Sequence, residues 1–425
     1  MHATVTRLRA RLALVPPGRL RRLLLALYLA TAAVDAAGKA LAANPAVNRA
    51  MSGLVKGERA ADLRVAARPS GNFEIFRTAS RHLFSQKDLY AEYPAEHSDR
   101  FKYSPTFALL FAPFAWIPWP IALFLWSAVN ALVLFVAIER VLPASAGMFA
   151  LLCMHLEVLR AMQNAQSNAL VAGLIILAYV FHERGQTLRA AGAVALGACV
   201  KIFPLAALTF AVSRRKVLST GVWFVVIGVL ALALPLVVTS PATLFEQYRS
   251  WRGVESLDAQ MRWFSVMELI HRWSGRTIPN WPIQLAGVAT LMLPLALRRD
   301  RWSEDRFRLL YLSSVLLFVV LFNHQAERAS YLIAFAGATL WFAGEPGAPW
   351  RTGLYLLALV SIPLLSTLVP GAIWREPSVM FYRLVLPSLA IWLTIQRELL
   401  ASTTAVTPSV VEGSAPSATL TEASR

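Results

Sequence analysis

Acidic side chains are scarce in this chain of 425 residues: 24 Asp and Glu face 41 Lys and Arg, a formal net charge of +17. Such an excess would suit nucleic acid if the arginines formed one stripe. They fall instead in short links at the ends of apolar runs, which sets nucleic acid aside as a partner. Charge of either sign is thin, at 15% of residues against 57% hydrophobic. That excludes a soluble domain, which would leave far too much apolar surface in water. Cysteine is nearly missing: Cys153 and Cys199 both lie in apolar runs and offer no disulfide framework or metal site. There is also no P-loop, dinucleotide fingerprint, HExxH helix or nucleophile elbow.

What the chain does have is a series of apolar runs of about 17–25 residues, the signature of an all-α polytopic membrane protein. Residues 1–22 carry Arg7, Arg9, Arg11, Arg19, Arg21 and Arg22 without an acid, so this end is expected on the cytoplasmic side. The apolar run that follows, to about residue 41, exceeds the ~7–15 residues of a signal-peptide core and reads as an anchor. Further spans are expected over 119–138, 144–162, 167–181, 217–238, 307–322, 330–342, 352–368 and 381–395. Outer loops are expected over 42–104 and 239–280, and a basic cytoplasmic link over 298–308. With the run ahead of that link, the pattern gives about ten full spans plus two partial or re-entrant segments, in a transmembrane domain of residues 23–400. Both termini then fall inside, with Trp374, Arg375 and Glu376 outside. Residues 401–425, rich in Ser, Thr, Ala and Pro, are expected to be disordered.

The two partial segments are short for different reasons. Residues 105–117 are apolar but reach only about two-thirds of a ~30 Å core, and Pro118 and Pro120 follow at once. Residues 190–212 have a basic link on each side and are broken by Lys201 and Pro204. Either this stretch enters and returns, with Lys201 at its deepest point and able to meet an anionic headgroup or phosphate, or it is one kinked span with a snorkelling lysine.

Polar residues concentrate at a few places. Asp35 and Lys39, at i,i+4 spacing in the first span, form either a neutralising pair or a functional intramembrane site. The first outer loop interleaves Glu74, Asp88 and Lys102 with Tyr90 and Tyr103, as interfacial elements do. Gln163, Asn164, Gln166 and Asn168 cluster between two spans, where unpartnered amides would be costly and a polar ligand is expected. The second outer loop carries Arg262 among tryptophans, and the turn 323–328 holds His324, Glu327 and Arg328.

The run Asn72-Phe73-Glu74-Ile75-Phe76, then Asp88-Leu89-Tyr90, then Lys102-Tyr103-Ser104-Pro105-Thr106-Phe107 with Pro113 and Pro118, resembles the first outer loop of glycosyltransferase family 87. Those proteins are polyprenyl-phosphate-dependent mannosyltransferases and their relatives. Gln166-Ser167-Asn168, and Lys201 with Pro204, are similar to further features of the family. The resemblance implies a type-C glycosyltransferase bundle in the cytoplasmic membrane. It also implies a lipid-linked donor of mannose or another hexose, a hydroxyl acceptor on a glycan or glycolipid at the outer face, and no metal or other cofactor. A general base is implied early in the first loop, where the family pattern has Asp. This chain has Asn72 there, and an amide cannot take a proton. Glu74, two residues on, is then the first candidate, followed by Asp88 and Asp35. His324 and Lys201 are expected to converge on the donor phosphate, with Arg328 as a third contact. Asn72, Lys102, Tyr103, Gln166, Asn168, Arg262 and Glu327 complete the expected binding set. The competing readings are a transporter or flippase of a lipid-linked or anionic substrate, or a family member without catalysis.

Overall fold

Proline sets where many of the helices begin, because it has no N–H to leave unpaired in a first turn. The computed structural model describes residues 14–47, 71–97, 99–344, 348–368 and 376–401, together with residues 3, 7, 11 and 12. Residues 48–70 of the first outer loop, Trp374, Arg375 and the tail after residue 401 lie outside the described residues. Those described form helices, turns and loops, with no strand among them.

Among the described residues, seven helices are long and apolar enough to cross a membrane. They are α1 (Pro17–Ala43), α5 (Trp119–Val141), α6 (Ala144–Gln163), α10 (Val217–Ala233, prolonged by a 3-10 turn to Val237), α13 (Asn280–Leu297), α16 (Pro349–Leu359, continuing to Thr367) and α17 (Pro377–Leu400). Three more expected spans are helices of shorter length: α7 (Asn168–Glu183), α14 (Asp305–Leu321) and α15 (Tyr331–Gly344). At about 1.5 Å per residue they extend only ~21–26 Å, less than a ~30 Å hydrocarbon core. Every residue of α15 from Tyr331 to Ala343 is buried, so other parts of the molecule surround it. Almost nothing of Val217–Val237 is buried within the molecule, which leaves that apolar helix at the periphery.

Glycine permits the closest approaches. A Cβ on Gly173 of α7 would sit 2.9 Å from the backbone of Val133 and Leu134 in α5, and one on Gly337 of α15 would sit 2.7 Å from the Ser313 carbonyl of α14. Small residues at such crossings let membrane helices pack backbone to backbone.

Residues 105–117 form two short helices, α3 (Pro105–Leu110) and α4 (Ala112–Trp116), packed on the amphipathic α2 (Gly71–Phe84). Arg77 and Arg81 of α2 donate to the Ala115 carbonyl at 3.0 and 2.8 Å, and Arg77 also reaches Ile117 at 3.1 Å. These bonds satisfy helix-end carbonyls that have no partner of their own. Residues 190–212 enter and return. Helix α8 (Thr187–Val200) stops at Lys201, whose backbone is extended, and a 3-10 turn (Phe203–Thr209) leads into α9 (Phe210–Ser213). Glu183 lies just before the hairpin and Arg214 just after it, and they pair with Nε–Oε1 at 2.9 Å. The two ends of the hairpin therefore meet, which excludes a single kinked span.

Ion pairs fall at two ends of the bundle. At the basic end, Arg21 pairs with Glu139, Arg214 and Arg308 share Glu183, and Arg298 and Arg301 cap the final carbonyls of α17. At the other end stand Asp35–Lys39, Lys39 donating to the Gln163 carbonyl, and the Lys201 tip. Glu376 accepts from the Val379 N–H as the N-cap of α17.

The hairpin tip yields a matched pair of substitutions in one helix. A Cβ on Gly197 would meet the Pro204 ring at 2.8 Å, whereas one on Gly192 meets only Ile227 at 3.8 Å. Gly192→Ala should be neutral or stabilising, and Gly197→Ala should cost about 1–3 kcal/mol despite the same gain in helix propensity. Thermal unfolding of the two purified variants distinguishes them; equal midpoints would mean the hairpin is not closed at Pro204.

Candidate active site

Ser104 joins the first loop to the hairpin. Its hydroxyl accepts from the Phe107 N–H as the N-cap of α3 and donates to the Cys199 carbonyl at 2.6 Å. That bond brings Tyr103 and Lys102 beside Lys201. From the far side, Lys201 Nζ donates to Asn168 Oδ1 at 2.9 Å, and Asn168 in turn donates to Gln166 at 3.3 Å. Three stretches far apart in sequence are thus pinned at one point.

The fourth stretch is α11 (Pro241–Asp258), laid across the loop. Gln247 donates to the Lys87 carbonyl and accepts from the Leu89 N–H, both at 2.9 Å. Further along, the Trp251 indole donates to the Lys102 carbonyl at 3.3 Å, and Lys102 Nζ pairs with Asp258 at 2.9 Å.

These elements enclose a cavity of about 410 Å³. Its floor is Gln166, Val200, Lys201, Ile202 and Phe203, and one wall is Asn72, Ile75, Asp99, Arg100, Lys102 and Tyr103. The other wall is Tyr248, Trp251, Arg252, Glu255 and Asp258, with Trp263, Gln325 and Glu327. Ile202 is 66% exposed and Trp263 50%, so one edge of a cavity that also holds several charged side chains is apolar and uncovered. A second cavity of about 430 Å³ between the loop and α11 adjoins the first through Asp99, Arg100, Lys102 and Asp258 and also includes Glu92, Tyr93 and His97.

The carboxylates around the cavity differ in state. Burial pushes the Glu255 carboxyl above the usual glutamate range, the Asp258 charge adds to this, and a bond from Gln325 Nε2 at 3.3 Å opposes it. Asp258 is occupied by Lys102. Burial disfavours the Lys102 ammonium, but the bond to Asp258 outweighs it and the pKa is raised. Glu327 is exposed and acts electrostatically on both Lys102 and Lys201. Together these groups offer what acyl or glycosyl transfer needs: a basic carboxylate and fixed cations beside it. Among the described residues no three His, Cys, Asp or Glu side chains gather to hold a metal ion.

Of the residues singled out in sequence, Asn72, Lys102, Tyr103, Gln166, Lys201 and Glu327 line the cavity, and Asn168 stands directly behind Lys201. The others lie elsewhere. Asp35 pairs with Lys39, and Asp88 accepts from the Tyr90 N–H and from Ser250. Glu74 sits in the first turn of α2 outside the cavity lining. Arg262 donates to the Ile278 carbonyl. His324 contacts Gln284 at 3.2 Å, and burial holds its imidazole below the usual range. Arg328 forms a two-bond pair with the buried Glu157 at 2.6 and 2.9 Å and reaches the Ile362 carbonyl beside the π turn at Pro363. Asn72 donates its amide to the Asn164 carbonyl at 3.0 Å, a bond an aspartate could not make.

Glu255 and Asp258 are absent from the residues chosen in sequence, yet a signal for them exists. Tyr248, Trp251, Glu255 and Asp258 recur at spacings of three and four, which places them on one helix face. Reading 239–280 as an outer loop hid that period.

Residues 101–323 match glycosyltransferase family 87. This is more than half of the chain, and it runs from the first loop through α11 to the turn after α14. The chain belongs to glycosyltransferase family 87 and is a membrane glycosyltransferase. No curated protein matches it.

Two substitutions at Asn168 separate holding Lys201 from neutralising it. Asn168→Ala removes the partner of a half-buried ammonium and should cost about 1–3 kcal/mol of stability and raise KM for the glycosyl donor. Asn168→Asp keeps a partner but binds the charge, so stability should hold while donor use falls. Unfolding midpoints and donor KM measured on both variants test this; wild-type values for both would remove Asn168 from the site.

Proposed function

We propose that this glycosyltransferase moves a hexose, mannose or a close relative, from a polyprenyl-phosphate donor to a hydroxyl acceptor at the outer face of the cytoplasmic membrane. The observation that carries this reading is the joining of opposites in one cavity: a fixed ammonium, Lys201, beside an uncovered apolar edge at Ile202 and Trp263, facing a wall that carries Glu255, Asp258 and Glu327. A phosphate with a long hydrocarbon tail fits the first two, and an acceptor hydroxyl fits the third. The basic links gather at the opposite end of the bundle, which supports an outward-facing cavity with both termini inside.

In this mechanism Glu255 is the general base. It takes the proton of the acceptor hydroxyl as that oxygen forms its bond to the anomeric carbon. The bond from that carbon to the phosphate oxygen breaks, and the departing lipid phosphate gains one negative charge. Lys201, held by Asn168, is placed to meet that charge, with Lys102 and Arg100 beside it, and the transfer runs without a metal. The adjoining polar cavity, with Tyr93, Glu92 and Arg100, receives the acceptor.

The pH dependence follows from the Glu255 environment. Its carboxyl is raised above the ~4.3 of a free glutamate, so the basic form is lost on acidification earlier than for an exposed glutamate. An acid with a raised folded pKa lends stability at low pH that disappears as pH rises through that pKa. Glu255→Gln should therefore be as stable as wild type, or more so, at pH 7, yet lose about 10²–10⁴ in kcat. The assay is sugar transfer in proteoliposomes supplied with a polyprenyl-phosphate hexose. Normal turnover in Glu255→Gln with loss in Glu74→Gln would move the base to the first loop. Donor movement without a new glycosidic bond would favour a transporter.

A further inference from the structure

At the basic end, a recess of about 520 Å³ opens between the ends of α5, α7, α14 and α15. More than half of its lining is apolar, including Val141, Leu142, Leu309 and Leu340, and three exposed arginines, Arg140, Arg184 and Arg306, stand around it. Its two acids are already engaged: Glu183 by Arg214 and by Arg308 at 2.9 Å, and Asp305 by Arg308. Among the described residues neither Arg140 nor Arg184 has a carboxylate partner.

We propose that this recess binds an anionic phospholipid of the cytoplasmic leaflet, its phosphate against Arg140 and Arg184 and its acyl chains over Val141 and Leu309. Two features select this occupant. The cationic rim demands an anion, and the apolar lining suits a tail that inorganic phosphate or a nucleotide lacks. A basic pocket between helix ends at the membrane boundary is the geometry in which lipid headgroups are held. The site lies at the far end of the bundle from the transfer cavity and shares no residue with it.

The test uses the full-length protein in a neutral detergent, titrated with phosphatidylglycerol and followed by native mass spectrometry. Phosphatidylcholine and inorganic phosphate serve as competitors. Arg140→Ala/Arg184→Ala should bind phosphatidylglycerol about ten- to thirtyfold more weakly than wild type, and Arg140→Lys/Arg184→Lys should recover most of the binding. Arg189→Ala/Arg299→Ala, which removes two charges from the same end but outside the recess, should bind as wild type does. Equal weakening in that control would reduce the effect to general surface charge and overturn the site. Unchanged binding in Arg140→Ala/Arg184→Ala, equal binding of phosphatidylcholine, or displacement by inorganic phosphate would also overturn it. The lysine variant and lipid-free unfolding midpoints guard against a loss caused by misfolding.

Discussion

The hydrogen bond from Lys201 to Asn168 is the contact on which the cavity depends. A helix break inside a bilayer is tolerated only where the freed polar groups find partners in the protein. The tip of the hairpin meets that demand on both sides, through Asn168 for the ammonium and through Ser104 for the Cys199 carbonyl. These two bonds tie the hairpin tip to the α6–α7 turn and to the first loop, and Asn72, donating to the Asn164 carbonyl, joins the loop to that turn directly. Pro204 against Gly197 closes the hairpin behind the tip and fixes where the lysine is presented.

The second constraint is length. Helices of 14 to 17 residues at the centre of a bundle are too short to reach both surfaces. At one end the hairpin tip and Gln166 form the floor of the candidate cavity; at the basic end the termini of α7, α14 and α15 border the arginine-rimmed recess. α11 then covers the first, tied to the loop backbone by Gln247 and to Lys102 by Asp258. The same helix delivers Glu255 in an environment that raises its basicity, which is useful for catalysis and unhelpful for stability at neutral pH.

Most of the helical framework was legible in the sequence, because apolar runs bounded by arginine and proline report membrane helices directly. The re-entrant character of 190–212 was legible as one of two alternatives, since matching basic flanks and a central lysine fit both; only the meeting of Glu183 with Arg214 decides. The residues that meet at the cavity were legible where polarity was locally improbable, as at Gln166, Asn168 and Lys201. It was not legible where a charged residue has two plausible employers. Arg328 looked like a phosphate ligand, but its partners are Glu157 and a carbonyl beside the π turn, neither near it in sequence. Asn72 could be seen to lack a proton acceptor. That a carboxylate some 180 residues later stands across the same cavity is information held in the docking of α11, not in any local pattern.

The central claim is that Lys201 holds the phosphate of the lipid donor, and equilibrium binding of a polyprenyl monophosphate without its sugar tests it most directly. Wild type, Lys201→Arg and Lys201→Met would be compared in nanodiscs of uncharged lipid. A hydrogen bond to a charged group contributes about 1.5–3 kcal/mol, so Lys201→Met should bind roughly 10- to 150-fold more weakly and Lys201→Arg should fall between. Equal affinity in Lys201→Met and wild type, with both proteins folded, would contradict the account.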